Sequence, residues 1–542
     1  MESKKPLGFT QMRQFMSQIF RKIPEFRQRG KLQISLHDGL MSGFACMFFK
    51  DPSLLQFQER LKDAERKTNL ETLFDVKNIP KSSQMREIID QVDSKYFKVI
   101  YKNLYSRLQR GKHLKQYQLF DGIGTLTDYY YFPIDGTTFF SSDKLNCGQC
   151  LTQERKNGGI SYSHQVLLGG IAHPDMAQVI PFIPEEICNS DGASKQDCEM
   201  NAAKRYLKNL RKDFSRLKLV VGGDALFAKQ PIIKQINADK NMKYIFMVKP
   251  DSHKYLMDWV NAYDELNKVE FTDERGQTHV YERMNDVPLC GEKDAVRTNF
   301  FRCSVIGRNE YILDTIGKKP KRLKSKGTIG LYQQGDEYRA MVRSFRGILK
   351  DISMSDVADI DTEMLDSLPW VPKKKIKAVK GRLAQHIIKQ VINHCDHTRD
   401  EIDKEMITFK ATWVTSIEVT EENIKTMVSA GRCRWKNENE MFNVMKNHGY
   451  EMEHNYGHGE NNLCFNFYLF TLLAFFFHQI FELTDPVYQE NRKKFGSKCA
   501  MWEALKNYIR IIPFESCEVL LAFALNPKAF EDLRLIPKGQ AP

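Results

Sequence analysis

The chain lacks an apolar segment at its start. MESKKPLGFTQMRQF carries charged and polar residues where a secretory h-region would lie, so export through a signal peptide is not expected. It is also sparing in cysteine, with 12 in 542 residues, which argues against a disulfide framework and for reduced thiols in a cytosol-like compartment. Internal repeats and low-complexity segments are missing, so neither a solenoid nor a long biased tail is expected. Long apolar runs are absent with one exception, LCFNFYLFTLLAFFFHQIFEL from Leu463 to Leu483, which approaches membrane-span length. Asn466, His478, Gln479 and Glu482 interrupt it and EHNYGHGENN leads into it. A core helix packed behind a sheet is therefore expected, and no membrane partner.

Acidic residues are in deficit: 68 Asp+Glu against 81 Lys+Arg give a net charge of +13. The excess is concentrated near one end, where residues 1–134 carry 23 basic and 14 acidic side chains. A polyanion partner, nucleic acid by default, fits such a balance, and ordinary solubilising charge is the alternative. With 42% hydrophobic residues the chain has material for a sizeable core, and its length suits two to four domains.

Residues 1–120 read as helical and basic. Amphipathic segments surround Gln11–Ile23 and Pro52–Lys67, Pro80 stops an element, and Ser82 or Ser83 is placed to cap the next. A helix around Ser94–Arg110 ends in RLQRGKHLK. These helices are compatible with a module that binds DNA ends, and equally with a plain bundle. From Tyr129 the period changes. YYYFPIDGTTFF, SHQVLLGGIAH and AQVIPFIPE are strand-like, and SKQDCEMNAAKRYLKNLRKDF follows as a helix with Ser194 as a cap. LKLVVGGDALFA, the helix PIIKQINADK and the strand KYIFMVKP complete a βββαβαβ order. THVYERM, TNFFRCSVIG, GTIGLYQ and YRAMVRSFRGIL make residues 263–408 a β-rich or mixed insertion, ATWVTSIEV returns as a strand, Thr420 caps EENIKTMVSA, and Gly431 breaks. Residues 121–262 and 409–485 then form two parts of one core, and 486–542 a helical tail.

Three acids stand out. Asp135 interrupts and Asp224 ends an apolar strand-like run, and Glu438 lies in GRCRWKNENEMFNVMKNHGYEMEHNYGHG between Arg434 and Lys446. At about 100° per residue, those last three fall within a sector of about 120° on one helix face. Two aspartates on neighbouring strands and a glutamate on a helix form an oxygen-rich site for divalent cations, here two Mg²⁺ with Mn²⁺ as a substitute. Taken singly, each acid reads as a turn or solvated residue; their order and setting favour catalysis.

IDGTTF, SYSHQVLLGGIAHP, KQDCEMNAAKRYL, GGDALFA, IFMVKPDSHK and the Glu438 block together resemble a DDE transposase of the insertion sequence 4 group. The resemblance covers most of residues 120–310 and 410–485. It implies an α/β fold, with an RNase H-like mixed five-stranded sheet flanked by helices and an insertion between the second Asp and the Glu. Asp135 would lie on the first strand and Asp224 on the adjacent fourth. It further implies Asp135, Asp224 and Glu438 as catalytic metal ligands, and Arg434 and Lys446 as contacts to DNA phosphate. In the group a Tyr precedes the Arg by three residues, where this chain has Gly431, and the step from Glu438 to Lys446 is one residue longer than the pattern. Implied partners are double-stranded DNA, as terminal inverted repeats and target, and a second copy of the chain when assembled on DNA. A bacterial cytoplasm is the implied setting.

Cys147-Gly-Gln-Cys150 has the spacing of half a structural zinc site, for which His164 and Cys198 could supply the rest. The irregular second half favours buried reduced cysteines instead. His448, His454 and His458 read as turn histidines supporting the Glu438 helix rather than as a metal site. The runs 318–326 and 373–382 could touch DNA backbone or be solvated loops, and Trp370 could stack on a distorted duplex end or be buried. The expectation is a cut-and-paste DNA transposase. The alternatives are a catalytically silent DNA-binding descendant and a structure-specific Mg²⁺-dependent nuclease.

Overall fold

The computed structural model describes residues 6–28, 30, 32–61, 69–124, 126–155, 158–189, 196–263, 266–274, 277–307, 327–334, 337–344, 347–353, 406–454 and 456–530. They fall in two compact units. One comprises Met1–Asn261, Asn285–Asn299 and Trp413–Pro542, the other Ala262–Met284 and Phe300–Thr412. Ser194, Trp370 and the basic runs 318–326 and 373–382 lie outside the described residues.

The first unit opens with helices α1 (Phe9–Arg21), α2 (Leu36–Phe48), α3 (Leu54–Leu61), α4 (Asn69–Phe74), α5 (Ser82–Asp90) and α6 (Lys95–Arg110). Helix α2 has no counterpart in the sequence reading. All its residues are buried, so LHDGLMSGFACMF shows no polar face and no 3.6-residue period to read. The cap of α5 is Lys81 rather than Ser82 or Ser83, because Gln84 reaches back to accept the Lys81 N–H at 3.0 Å.

Next come β1 (Tyr129–Ser142), β2 (Leu151–Glu154), β3 (Ile160–Ile171), β4 (Ile180–Pro181), β5 (Glu185–Ile187), α7 (Glu199–Asp213), β6 (Lys218–Gly223), α8 (Gln230–Asn237), β7 (Met242–Met247) and α9 (Lys254–Asn261). Later elements are β8 (Asn267–Thr272), β9 (Thr278–Pro288), β10 (Arg297–Gly307), β11 (Gly327–Gln334), β12 (Glu337–Ser344), β13 (Gly347–Ser353) and β14 (Met406–Thr415). In the second unit β8 pairs antiparallel with β9, and β11, β12 and β13 form an antiparallel three-stranded sheet.

The sheet of the first unit runs β2-β3-β1-β6-β7 and then the Trp413–Thr415 end of β14. Strands β1 and β3 are antiparallel, β1, β6 and β7 parallel, and β14 is antiparallel to β7. The result is a mixed sheet flanked by helices, but not a five-stranded one. The third expected run breaks into the short β4 and β5, both paired to β3, and β2 and β14 are additional. Ala202, Ala203, Tyr206, Leu207 and Leu210 of α7 are buried, as its helical period requires.

The chain closes with α10 (Ile424–Cys433), a π-turn over Asn437–Phe442 leading into α11 (Asn443–Asn447), α12 (Leu463–Thr484), α13 (Pro486–Phe495), α14 (Lys498–Ile511) and α15 (Cys517–Leu525). Helix α12 is long and apolar enough to cross a membrane, yet nearly all of it is buried inside the protein. On one side it meets the N-terminal helices: Phe20 against Phe470, Phe44 against Phe477, and the Tyr101 hydroxyl donating to the Leu469 carbonyl at 3.0 Å. On the other, Phe139 of β1 stacks on Tyr468, with ring centroids 4.8 Å apart. Asp90 caps it by accepting the N–H groups of Glu460, Asn461, Asn462 and Leu463.

Candidate active site

Strand register brings the two aspartates together. Tyr131 lies opposite Val220 and Pro133 opposite Gly222 on the parallel pair β1 and β6. Two residues on, Asp135 in the middle of β1 and Asp224 just past the end of β6 come to the same level of the sheet, although 89 positions separate them in sequence. Asp224 lies just past β6, where one carboxylate oxygen accepts the Leu226 N–H at 2.9 Å. Asp135 accepts the Gly136 N–H at 3.0 Å through Oδ1 and the Arg434 guanidinium at 3.2 Å through Oδ2.

Burial raises the Asp135 carboxyl to about 6; Arg434 opposes this, while Asp224 and Glu438 add to it. Crowding extends to a fourth acid that the sequence reading did not single out. Glu199, first residue of α7, has its carboxyl raised by burial and then by Asp135 and Asp224. Its Oε1 would lie 2.3 Å from a Cβ at position 136, so the glycine of IDG leaves room for this carboxylate. An acid in the first turn of a helix is ordinary capping chemistry, which concealed it.

The Glu438 helix is pinned by its buried polar neighbours. Asn437 donates to the Leu168 carbonyl of β3 at 3.1 Å, and Lys436 to the Met176 carbonyl at 2.6 Å. The π-turn over Asn437–Phe442 absorbs one residue more than an α-turn would, which accounts for the long step from Glu438 to Lys446. Arg434 is paired with Asp135, not with Glu438, and Lys446 is paired with Glu453 at 2.7 Å.

Gly431 does not break α10. It lies buried inside the helix, and a Cβ there would meet the Trp413 indole at 2.6 Å. The space beside residue 431 is filled by a tryptophan from β14 that is only 1% exposed. Tyr450 and Tyr456 are also buried: the first is hydrogen-bonded to His478 at 2.6 Å, the second to the Asp51 carbonyl at 3.2 Å. Trp435, beside Arg434, is 43% exposed.

A second cluster has different chemistry. Cys147, Cys150 and His164 meet, but the fourth member is His458. Cys198 is exposed at the start of α7 and does not join them. The four ligand atoms lie within 4.8 Å of one another, and no other His, Cys, Asp and Glu group of that kind occurs among the described residues. The acids around Asp135 form a more open group, with one oxygen taken by Arg434. His454 packs edge-on against Tyr456, and the carbonyl of His448 accepts Lys50, so the three histidines of the loop do not converge.

An all-oxygen donor set in which neighbouring acids add to the raised proton affinity of Asp135 and Glu199 suits hard divalent cations such as Mg²⁺. A sulfur and imidazole set suits zinc.

No protein-family model and no curated protein matches the chain. Among solved structures, it is similar to a piggyBac transposase in a synaptic complex with hairpin DNA, at 12% identity and a TM-score of 0.25. That likeness covers 54% of this chain and 61% of that one, so the match spans less than two thirds of the solved chain.

Proposed function

We propose that the chain is a DDE-type DNA transposase of the insertion sequence 4 group, which cuts element ends and joins them to target DNA. What supports this reading is that Asp224, from the adjacent parallel strand, and Glu438, from the pinned helix, both add to the raised proton affinity of Asp135, with the Arg434 guanidinium 3.2 Å from its carboxylate. Asp135, Asp224 and Glu438 would hold two Mg²⁺ ions. Two such ions stabilise both the attacking and the leaving oxygen of an in-line displacement at phosphorus. Arg434 offers a planar donor fork suited to a backbone phosphate. Lys446 can serve the same end by leaving Glu453, since a solvated ion pair holds by only about 0–1 kcal/mol. Glu199 adds negative charge beside Asp135 and Asp224 and strengthens the pull on a cation. The partners would be double-stranded DNA and, on that DNA, a second copy of the chain.

The test uses full-length protein and DNA carrying the flanks of its own reading frame. With Mg²⁺ or Mn²⁺ we expect free 3′-hydroxyl ends and strand-transfer products. Asp224→Asn should reduce cleavage by about 10²-fold or more, as loss of a transition-state charge contact does, and leave DNA binding intact. Retained cleavage in that variant would sink the assignment. Cleavage without strand transfer would make the protein a nuclease, and binding without cleavage a silent descendant.

A further inference from the structure

Cys147 and Cys150 lie on the turn after β1, which carries Asp135, and His164 lies on β3. His458 comes from the loop that leads from the Glu438 helix into α12. The sulfurs are 3.8 Å apart and the two Nε2 atoms 3.2 Å apart. Three of the four sulfur–nitrogen edges are 3.5, 3.3 and 3.6 Å, and the fourth, from Cys147 to His458, is within 4.8 Å. A tetrahedron with zinc–sulfur and zinc–nitrogen bonds of about 2.3 and 2.05 Å has edges of about 3.8, 3.3 and 3.5 Å. The side chains already trace that polyhedron.

We propose that Cys147, Cys150, His164 and His458 bind one structural zinc ion, which clasps the loop after the Glu438 helix to the β1–β3 part of the sheet. The outer shell fits. His458 Nδ1 lies 2.9 Å from the Gly459 carbonyl, so its ring proton is held there and Nε2 faces the cluster as an acceptor. Two thiolates and two neutral imidazoles cancel the charge of Zn²⁺. A neutral complex suits surroundings in which Phe140 packs 4.7 Å from His458 and 5.7 Å from His164. Four protein ligands leave no open position, so the ion would be structural and not catalytic. Its consequence is geometric: β1 holds Asp135, the helix before His458 holds Glu438, and the metal fixes the distance between them. The inference concerns a site separate from the acids and does not depend on transposition.

Full-length protein grown in zinc-supplemented medium and purified without a metal-affinity tag should retain one zinc per chain after dialysis. His458→Ala and Cys150→Ser should each lose most of it, while Cys198→Ser and Cys464→Ser keep it. Cobalt substitution of the wild type guards against variants that fail to fold. It should give the intense ligand-field bands of a tetrahedral site together with thiolate charge transfer. Chelation should speed proteolysis in residues 448–462, and added zinc should reverse that. Wild-type protein without stoichiometric zinc, an octahedral cobalt spectrum, or His458→Ala with its zinc intact would each overturn the proposal. Cys198→Ser losing zinc would overturn the choice of His458.

Discussion

Lys50 has its ammonium 3.9 Å from the centroid of the Tyr450 ring and 3.4 Å from the His448 carbonyl, with no carboxylate within ion-pair distance among the described residues. Its pKa is lowered to about 7, by burial first and then by Lys498 and Lys506, with Glu482 opposing them. Since the unfolded chain keeps this proton until about pH 10.4, it binds more protons than the folded chain between pH 7 and 10, and stability rises with pH across that window. The penalty below pH 7 is up to about 5 kcal/mol, of which the cation–π contact returns about 1–2. We expect Lys50→Met to be more stable than wild type at pH 6 and to flatten the slope from pH 7 to 9, measured by urea midpoints. A parallel slope in the variant would place the titration elsewhere. This lysine gave no sequence signal, because it sits at a left-handed φ of 57° in the turn after α2, a helix that is itself hidden from pattern reading. Asp135, Asp224, Glu438 and Arg434 could be singled out in the sequence because the two aspartates are charges set in or against apolar strand-like runs and the other two stand in the polar block after Gly431. Glu199 and His458 were not, since an acid in a first helical turn and a histidine in a glycine-rich loop both have ordinary explanations.

Elements were readable where they have one wet and one dry face, as in α1, α7 and α8, and where strands are bounded by turn residues. They were unreadable where burial is complete. The same limit explains the π-turn: an extra residue between Glu438 and Lys446 is visible in the sequence, but only the pinning by Asn437 and Lys436 decides that the helix bulges there instead of rotating. The start of α12 carries a testable consequence. Four backbone N–H groups at this end, that of Leu463 buried and the others partly so, converge on Asp90, a residue more than 360 positions earlier. Removing an ordinary N-cap acceptor costs about 0.5–2 kcal/mol, and each buried donor left unpaired about 1–3. Asp90→Ala should therefore destabilise the protein by about 2 kcal/mol or more, seen as a lower denaturant midpoint at unchanged slope. Asp90→Asn, which keeps one acceptor oxygen, should fall between. A midpoint for Asp90→Ala within about 0.5 kcal/mol of wild type, the range of ordinary surface changes, would show that water caps this helix.

At the scale of the molecule, residues 1–120 stand apart in the sequence as a helical, basic region compatible with a DNA-end-binding module. Their packing says otherwise. Phe9, Phe20, Phe44 and Phe48 lie against Phe470, Phe477 and Phe481 of α12, and Asn69 donates to the carbonyls of Ile509 and Ile512. Thr10 donates to Glu518 in α15 at 2.8 Å. These partners lie more than 400 residues downstream, beyond the reach of any local pattern, and they share one compact unit. Burying a phenylalanine side chain contributes about 1.5–3 kcal/mol, so a fragment ending at residue 120 would expose several such rings and forfeit most of its core. We expect that fragment to give no cooperative urea transition and to bind a hydrophobic dye strongly. DNA-end recognition by this region should then be tested in the full chain, by replacing exposed bases such as Arg110 and Lys112 and following how affinity falls with salt. Loss of two phosphate contacts should reduce the slope of log K against log salt by about 1.8 on duplex DNA. If the isolated fragment instead unfolds cooperatively and binds DNA with the full chain's salt dependence, these helices carry a core of their own, and their packing on α12 is a docking contact between two independently stable parts.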